Sequence, residues 1–102
     1  MTFEIAPKST EIQANWETAK AYCSELNIDG KTGWRLPTKE ELNEIYESGN
    51  GPELEFDEWL YYWTSTDDGD SAWDQGFGNG YQYLTDKNKT APGPWVRAIR
   101  DL

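Results

Sequence analysis

The texture of the chain changes at Trp59, and that change restricts the fold more than any other feature. From there to the C-terminus, Tyr, Trp, Thr and Ser crowd into short runs separated by Gly, Asn, Asp and Pro. Aromatic and β-branched residues bounded by turn formers read as strands and hairpins. The runs "YYWTST" at 61–66, "SAWDQGF" at 71–77, "GYQYL" at 80–84 and "WVRAIR" at 95–100 are expected to be strands, joined by "DDGD", "GN" and the longer "TDKNKTAPGP". Successive strand residues point to opposite faces, so part of the ring set must face inward and part outward. The first half of the chain reads differently.

It carries two helix signals. Asn15 is a cap for a helix over about 16–26, in which Trp16, Ala19, Tyr22, Cys23 and Leu26 recur at spacings of three and four and form one apolar face. The stretch "GWRLPTKEEL" at 33–42 contains Thr38 followed three residues later by Glu41, a capping box that starts a second helix at Lys39. That helix is expected to run to about Ser48, with Leu42, Ile45 and Tyr46 as its apolar stripe and Gly49 as its stop. Pro37 holds Leu36 extended, so Trp34, Arg35 and Leu36 read as a short strand leading into the cap. "TFEI" at the start alternates polar and apolar residues and reads as another strand, and "GNGPELEFDE" as a loop with Phe56 as its anchor. Two helices followed by an antiparallel meander give an α+β architecture, a single domain over residues 1–102. Two helices cannot cover both faces of the sheet completely, which leaves a face or a loop edge for recognition.

Charge narrows the partners. The formal net charge is −10, and from Glu40 to Asp86 there are thirteen acidic residues and no Lys or Arg. Such a surface repels phosphate backbones, so ordinary nucleic-acid binding is not expected. A solvated acidic face is the ordinary reading of the run, with cationic partners, metal ions or mimicry of DNA charge as the functional ones. The chain has no histidine and one cysteine, which removes the commonest general base and excludes an internal disulfide or a Cys-rich zinc site. Cys23 lies on the apolar helix face and reads as a buried, reduced thiol. Neither a secretory leader nor a segment of membrane-spanning length is visible, so the expectation is a cytoplasmic protein without a membrane partner. Its oligomeric state is open.

Candidate binding residues cluster between 67 and 83. Asp67, Asp68 and Asp70 surround Gly69, with Asp74 beyond, and hard oxygen ligands on a glycine-containing turn suit calcium, though Asp and Gly are also ordinary hairpin residues. Trp73, Tyr81 and Tyr83, beside Asn79, offer rigid amphipathic contact area for a sugar or a protein. Trp63 and Phe77 read as sheet packing. Nothing points to catalysis, since paired carboxylates arise by chance on any acidic surface. Apart from calcium, no cofactor is suggested.

Four blocks in order, "WETAKAYCSELNIDGKTGWRLPTKEEL", "YWTST", "AWDQGF" and "WVRAIR", resemble the Lcl C-terminal-like domain family, a bacterial and phage module, over about 15–100. The resemblance implies a C-type lectin-like fold. It gives Trp16, Trp34, Arg35, Pro37, Trp63, Phe77 and Arg97 structural roles, with Trp34 and Leu36 as core plugs and Arg35 hydrogen-bonded to carbonyls or carboxylates. It implies that "TFEI" pairs with "VRAIR". The family commonly carries a Cys between the last two arginines, able to bridge to the first helix, where this chain has Ala98. The missing partner fits a reducing compartment. The resemblance also implies sulfated glycosaminoglycans as ligands, which the acidic run contradicts. The function expected is a non-catalytic recognition module that binds a protein or glycan through a loop edge, on a virion or cell surface if the chain belongs to such an assembly. An intracellular acidic protein docking on a basic surface, of inhibitor or DNA-mimic type, and a calcium-dependent carbohydrate-binding domain are the alternatives.

Overall fold

A computed structural model describes residues 2–102. Helix α1 spans Trp16–Glu25, and the Asn15 side chain accepts a hydrogen bond from the Thr18 amide. Helix α2 spans Lys39–Glu47 behind a complete capping box, in which Thr38 and Glu41 each accept the other's backbone N–H. α1 buries Trp16, Ala19 and Cys23, and α2 buries Leu42 and Ile45, at the spacings read from the sequence. Each helix ends one residue before the expected boundary.

The strands form two sheets, not one meander. β1 (Phe3–Ile5), β3 (Trp34–Arg35) and β8 (Ile99–Asp101) make a three-stranded sheet in the order β1-β8-β3. β2 (Ile12–Gln13), β4 (Tyr61–Asp68), β5 (Ser71–Gly76), β6 (Gln82–Asp86) and β7 (Trp95–Val96) make a five-stranded sheet in the order β2-β7-β4-β5-β6. All pairings are antiparallel except β4 with β7. β1 lies beside β8, Phe3 opposite Asp101, so the two ends of the domain meet as expected.

One expected strand is two. The run 95–100 breaks at Arg97 and Ala98, and its halves join different sheets. The break has a physical cause: the buried Arg97 turns its guanidinium inward to the Ala6 and Leu54 carbonyls, while the Ala98 carbonyl accepts the Ala6 amide.

Two apolar clusters lie on opposite sides of the larger sheet. Trp16, Ala19, Cys23, Trp34, Leu36, Trp63, Ala72, Val96 and Ala98 pack in one, under α1. Phe3, Leu42, Ile45, Phe56, Tyr62, Phe77 and Ile99 pack in the other, against α2, with Phe56 and Phe77 stacked at 4.4 Å. Adjacent residues Tyr62 and Trp63 serve different clusters, as strand alternation requires. The three buried indoles all find acceptors: Trp16 donates to the Thr64 carbonyl at 2.8 Å, Trp63 to Ala14 at 2.8 Å and Trp34 to Lys31 at 3.0 Å. Cys23 is buried and unpaired, its thiol pushed up to about 12 by burial, and Ala98 packs in the same cluster.

Arg35 connects these layers. Its guanidinium donates to both Glu41 carboxylate oxygens, at 2.7 and 2.8 Å, and to Asp101 at 2.7 and 3.1 Å. The capping-box glutamate of α2 is thereby tied to the last strand, and both carboxylates are held below their ordinary pKa chiefly by hydrogen bonds from Arg35.

Candidate functional site

Strand register decides which residues share a face, because directly opposed residues point the same way. Trp63 opposes Asp74, Tyr61 opposes Gly76, and across the next pair Asp74 opposes Tyr83 and Ala72 opposes Thr85. Tyr61, Trp63, Ala72, Asp74, Tyr83 and Thr85 therefore occupy one face of the larger sheet. Trp63 and Ala72 are covered in the α1 cluster, whereas Tyr61 and Tyr83 stay open to solvent.

The segment after β6 folds over this open end. Lys89, Pro92, Gly93 and Pro94 form one wall, fastened where the Gln13 side-chain amide donates to the Gly93 carbonyl at 2.8 Å. Trp59, Tyr61, Tyr83 and Trp95 supply the aromatic lining, and the open cleft measures about 430 Å³. The Tyr61 and Tyr83 rings lie 5.5 Å apart, and Trp59 is 83% exposed. Tyr83 titrates above its usual range, from desolvation first and then from a hydrogen bond with Tyr61.

Asp74 is the only carboxylate in the lining. It is 2% exposed; Thr85 hydrogen-bonds to its carboxyl group, and Oδ1 has no partner. Burial pushes its pKa up to about 6. An acid whose folded-state pKa is raised costs nothing below its unfolded value. The penalty grows as pH rises through the folded value. Asp74→Asn should therefore gain about 2–3 kcal/mol relative to the wild type between pH 4 and pH 7.5. Urea unfolding of both proteins across that range measures the difference, from which the depressed carboxylates common to both cancel. A pH-independent difference would show that Asp74 ionises as freely as in the unfolded chain.

The residues expected at a single edge are divided. Asp67 and Asp68 end β4, and with Gly69 and Asp70 they form the tip of the β4–β5 hairpin. Asn79 and Tyr81 lie beyond the other end of β5, about 17 Å away at the usual rise per residue. Trp73 faces the opposite side of the sheet from Asp74, where the Lys39 ammonium sits 3.6 Å from its ring centre. Asn79 caps the Tyr81 amide, and the exposed Tyr81 ring lies 6.2 Å from Tyr83. Of the eight candidates, only Asp74 and Tyr83 line the cleft.

Asp67 pairs with the Lys87 ammonium at 2.8 Å, and that hydrogen bond lowers its pKa. Among the described residues, no three acidic or cysteine side chains are grouped to hold a metal ion. No described helix is long and apolar enough to cross a membrane.

Trp59, Tyr61, Thr85, Lys89, Trp95 and Gln13 escaped the sequence reading. The run "YYW" held a usable signal, because strand alternation puts Tyr61 on the face of Trp63. What it did not show was that α1 covers only one end of that face. A family model described as the Lcl C-terminal domain matches residues 4–100. No curated protein matched the chain.

Proposed function

Since the chain belongs to the Lcl C-terminal domain family, we propose that it is a non-catalytic recognition module with a C-type lectin-like fold, which captures a protein or glycan partner at the aromatic cleft. The fold assignment is supported by the paired terminal strands, the two helices and the long segment 87–94 beside the larger sheet. The observation that carries the binding role is the unpartnered Asp74 Oδ1 at a cleft walled by solvent-reachable Trp and Tyr rings. Aromatic rings provide contact area at little entropic cost, and an unsatisfied acceptor gives direction to a donor on the partner.

This reading puts the site at the Trp59–Tyr83 end of the sheet rather than at the acidic hairpin tip. Partner capture with the wild type, beside a Trp59→Ala, Tyr83→Ala double variant and a Glu25→Gln control on α1, tests this, together with a glycan array. The cleft variant should lose the partner by tenfold or more, as expected for two anchors of about 1–2 kcal/mol each. The α1 control should keep it. Equal capture by all three proteins would move the function to another surface.

A further inference from the structure

We propose that the group seated against Asp74 is an alkylammonium cation, held between the carboxylate and the Trp59, Tyr61 and Tyr83 rings. This rests on the cleft being the recognition site and adds the chemistry of what it recognises.

Three observations favour a cation over a neutral hydroxyl. Oδ1 lacks a partner, and among the described residues no basic side chain makes an ion pair with the carboxylate. A hydroxyl would satisfy the acceptor yet leave a desolvated charge uncompensated, whereas an ammonium compensates the charge, and one that carries an N–H satisfies the acceptor as well. Trp59, Tyr61 and Tyr83 line the same cleft, and the negative face of an aromatic ring stabilises cations, methylated ammonium groups above all. The surrounding field has the right sign as well, since the chain carries a net charge of −10. Lys89 shares the lining, and the Asp74 carboxyl is raised by burial, against which the Thr85 hydrogen bond acts.

Protonation of Asp74 should control the affinity. The other ionisable groups on the cleft are Tyr61, Tyr83 and Lys89, and the chain has no histidine. With the carboxyl titrating at about 6, cation binding should weaken about tenfold from pH 7 to pH 5 as the charge is lost.

The test is a titration of the intact protein with choline and its neutral isostere 3,3-dimethyl-1-butanol, with butylammonium and with a methyl glycoside, read from the NMR signals of Trp59 and Tyr83. Choline or butylammonium should bind at least tenfold more tightly than the isostere at pH 7. A preference for choline would mark a quaternary head group as the source, and a preference for butylammonium a lysine-type side chain. Asp74→Asn, checked for a native melting transition, should remove the preference for charge. Trp59→Ala, at a position too exposed to affect folding, should weaken binding several-fold. Failure of both choline and butylammonium to outbind the isostere, cation binding retained by Asp74→Asn, or binding of the glycoside alone would overturn the ammonium assignment. The recognition site would stand separately if the Trp59→Ala, Tyr83→Ala variant still loses its partner.

Discussion

Arg97→Ala is expected to destabilise the domain by about 3–5 kcal/mol, the range for breaking one side of a buried ion pair. The Arg97 and Glu11 side chains are each 4% exposed and meet at 2.9 Å. Arg97 also donates to the carbonyls of Ala6, Leu54 and Glu55, and its guanidinium lies 4.6 Å from the centre of the Phe56 ring. One side chain thus ties the segment after β1, the loop before β4 and the break between β7 and β8. Truncation would leave three carbonyls without this donor. Among the described residues, the Glu11 carboxylate would keep Tyr62, at 3.0 Å, and Lys8, at 3.1 Å, as partners. Urea unfolding measures the loss. Arg97→Met with Glu11→Gln should recover part of it, because the pair is then removed without stranding a charge. A loss below about 1 kcal/mol for Arg97→Ala would mean that water replaces the guanidinium, contrary to the burial described.

Trp63→Ala should cost a similar amount, about 3–5 kcal/mol, by a different route. The ring is fully buried in the α1 cluster, and truncation opens a cavity that flanking residues from α1, β3, β5 and β7 would have to fill. The Ala14 carbonyl also loses its indole donor, held at 2.8 Å. Trp63→Phe separates the two contributions. It keeps much of the ring volume and drops the N–H, so a cost nearer 1–2 kcal/mol is expected. Thermal and urea unfolding of both variants provide the measurement, and equal costs would assign the whole effect to the hydrogen bond.

Much of the fold was legible because it depends on local chemistry. The Asn15 cap and the Thr38–Glu41 box are short-range hydrogen-bond patterns, visible as residue types at fixed spacing. The apolar spacing of α1 placed Trp16, Ala19 and Cys23 on its buried face. The resemblance implied carbonyl or carboxylate partners for Arg35, and the fold decided which: Glu41, six residues on, and Asp101, from a strand 66 residues away. The run 95–100 looked continuous because Val96 and Ile99 are good strand residues. Its interruption follows from where Arg97 finds acceptors, in segments distant along the chain.

The candidate site divides along the same line. The sequence by itself determined that large rings would alternate along aromatic-rich strands. It also determined two capped helices and an acidic surface, since all of these follow from residue type and near-neighbour spacing. Only the tertiary structure decided that α1 covers the Trp63 end of one sheet face and leaves the Tyr61–Tyr83 end open. It also brought Gln13, Trp95 and the 89–94 wall to that opening and buried Asp74 with one oxygen unpartnered. Burial and hydrogen-bond satisfaction depend on which distant segments close over a side chain, and no local pattern carries that information.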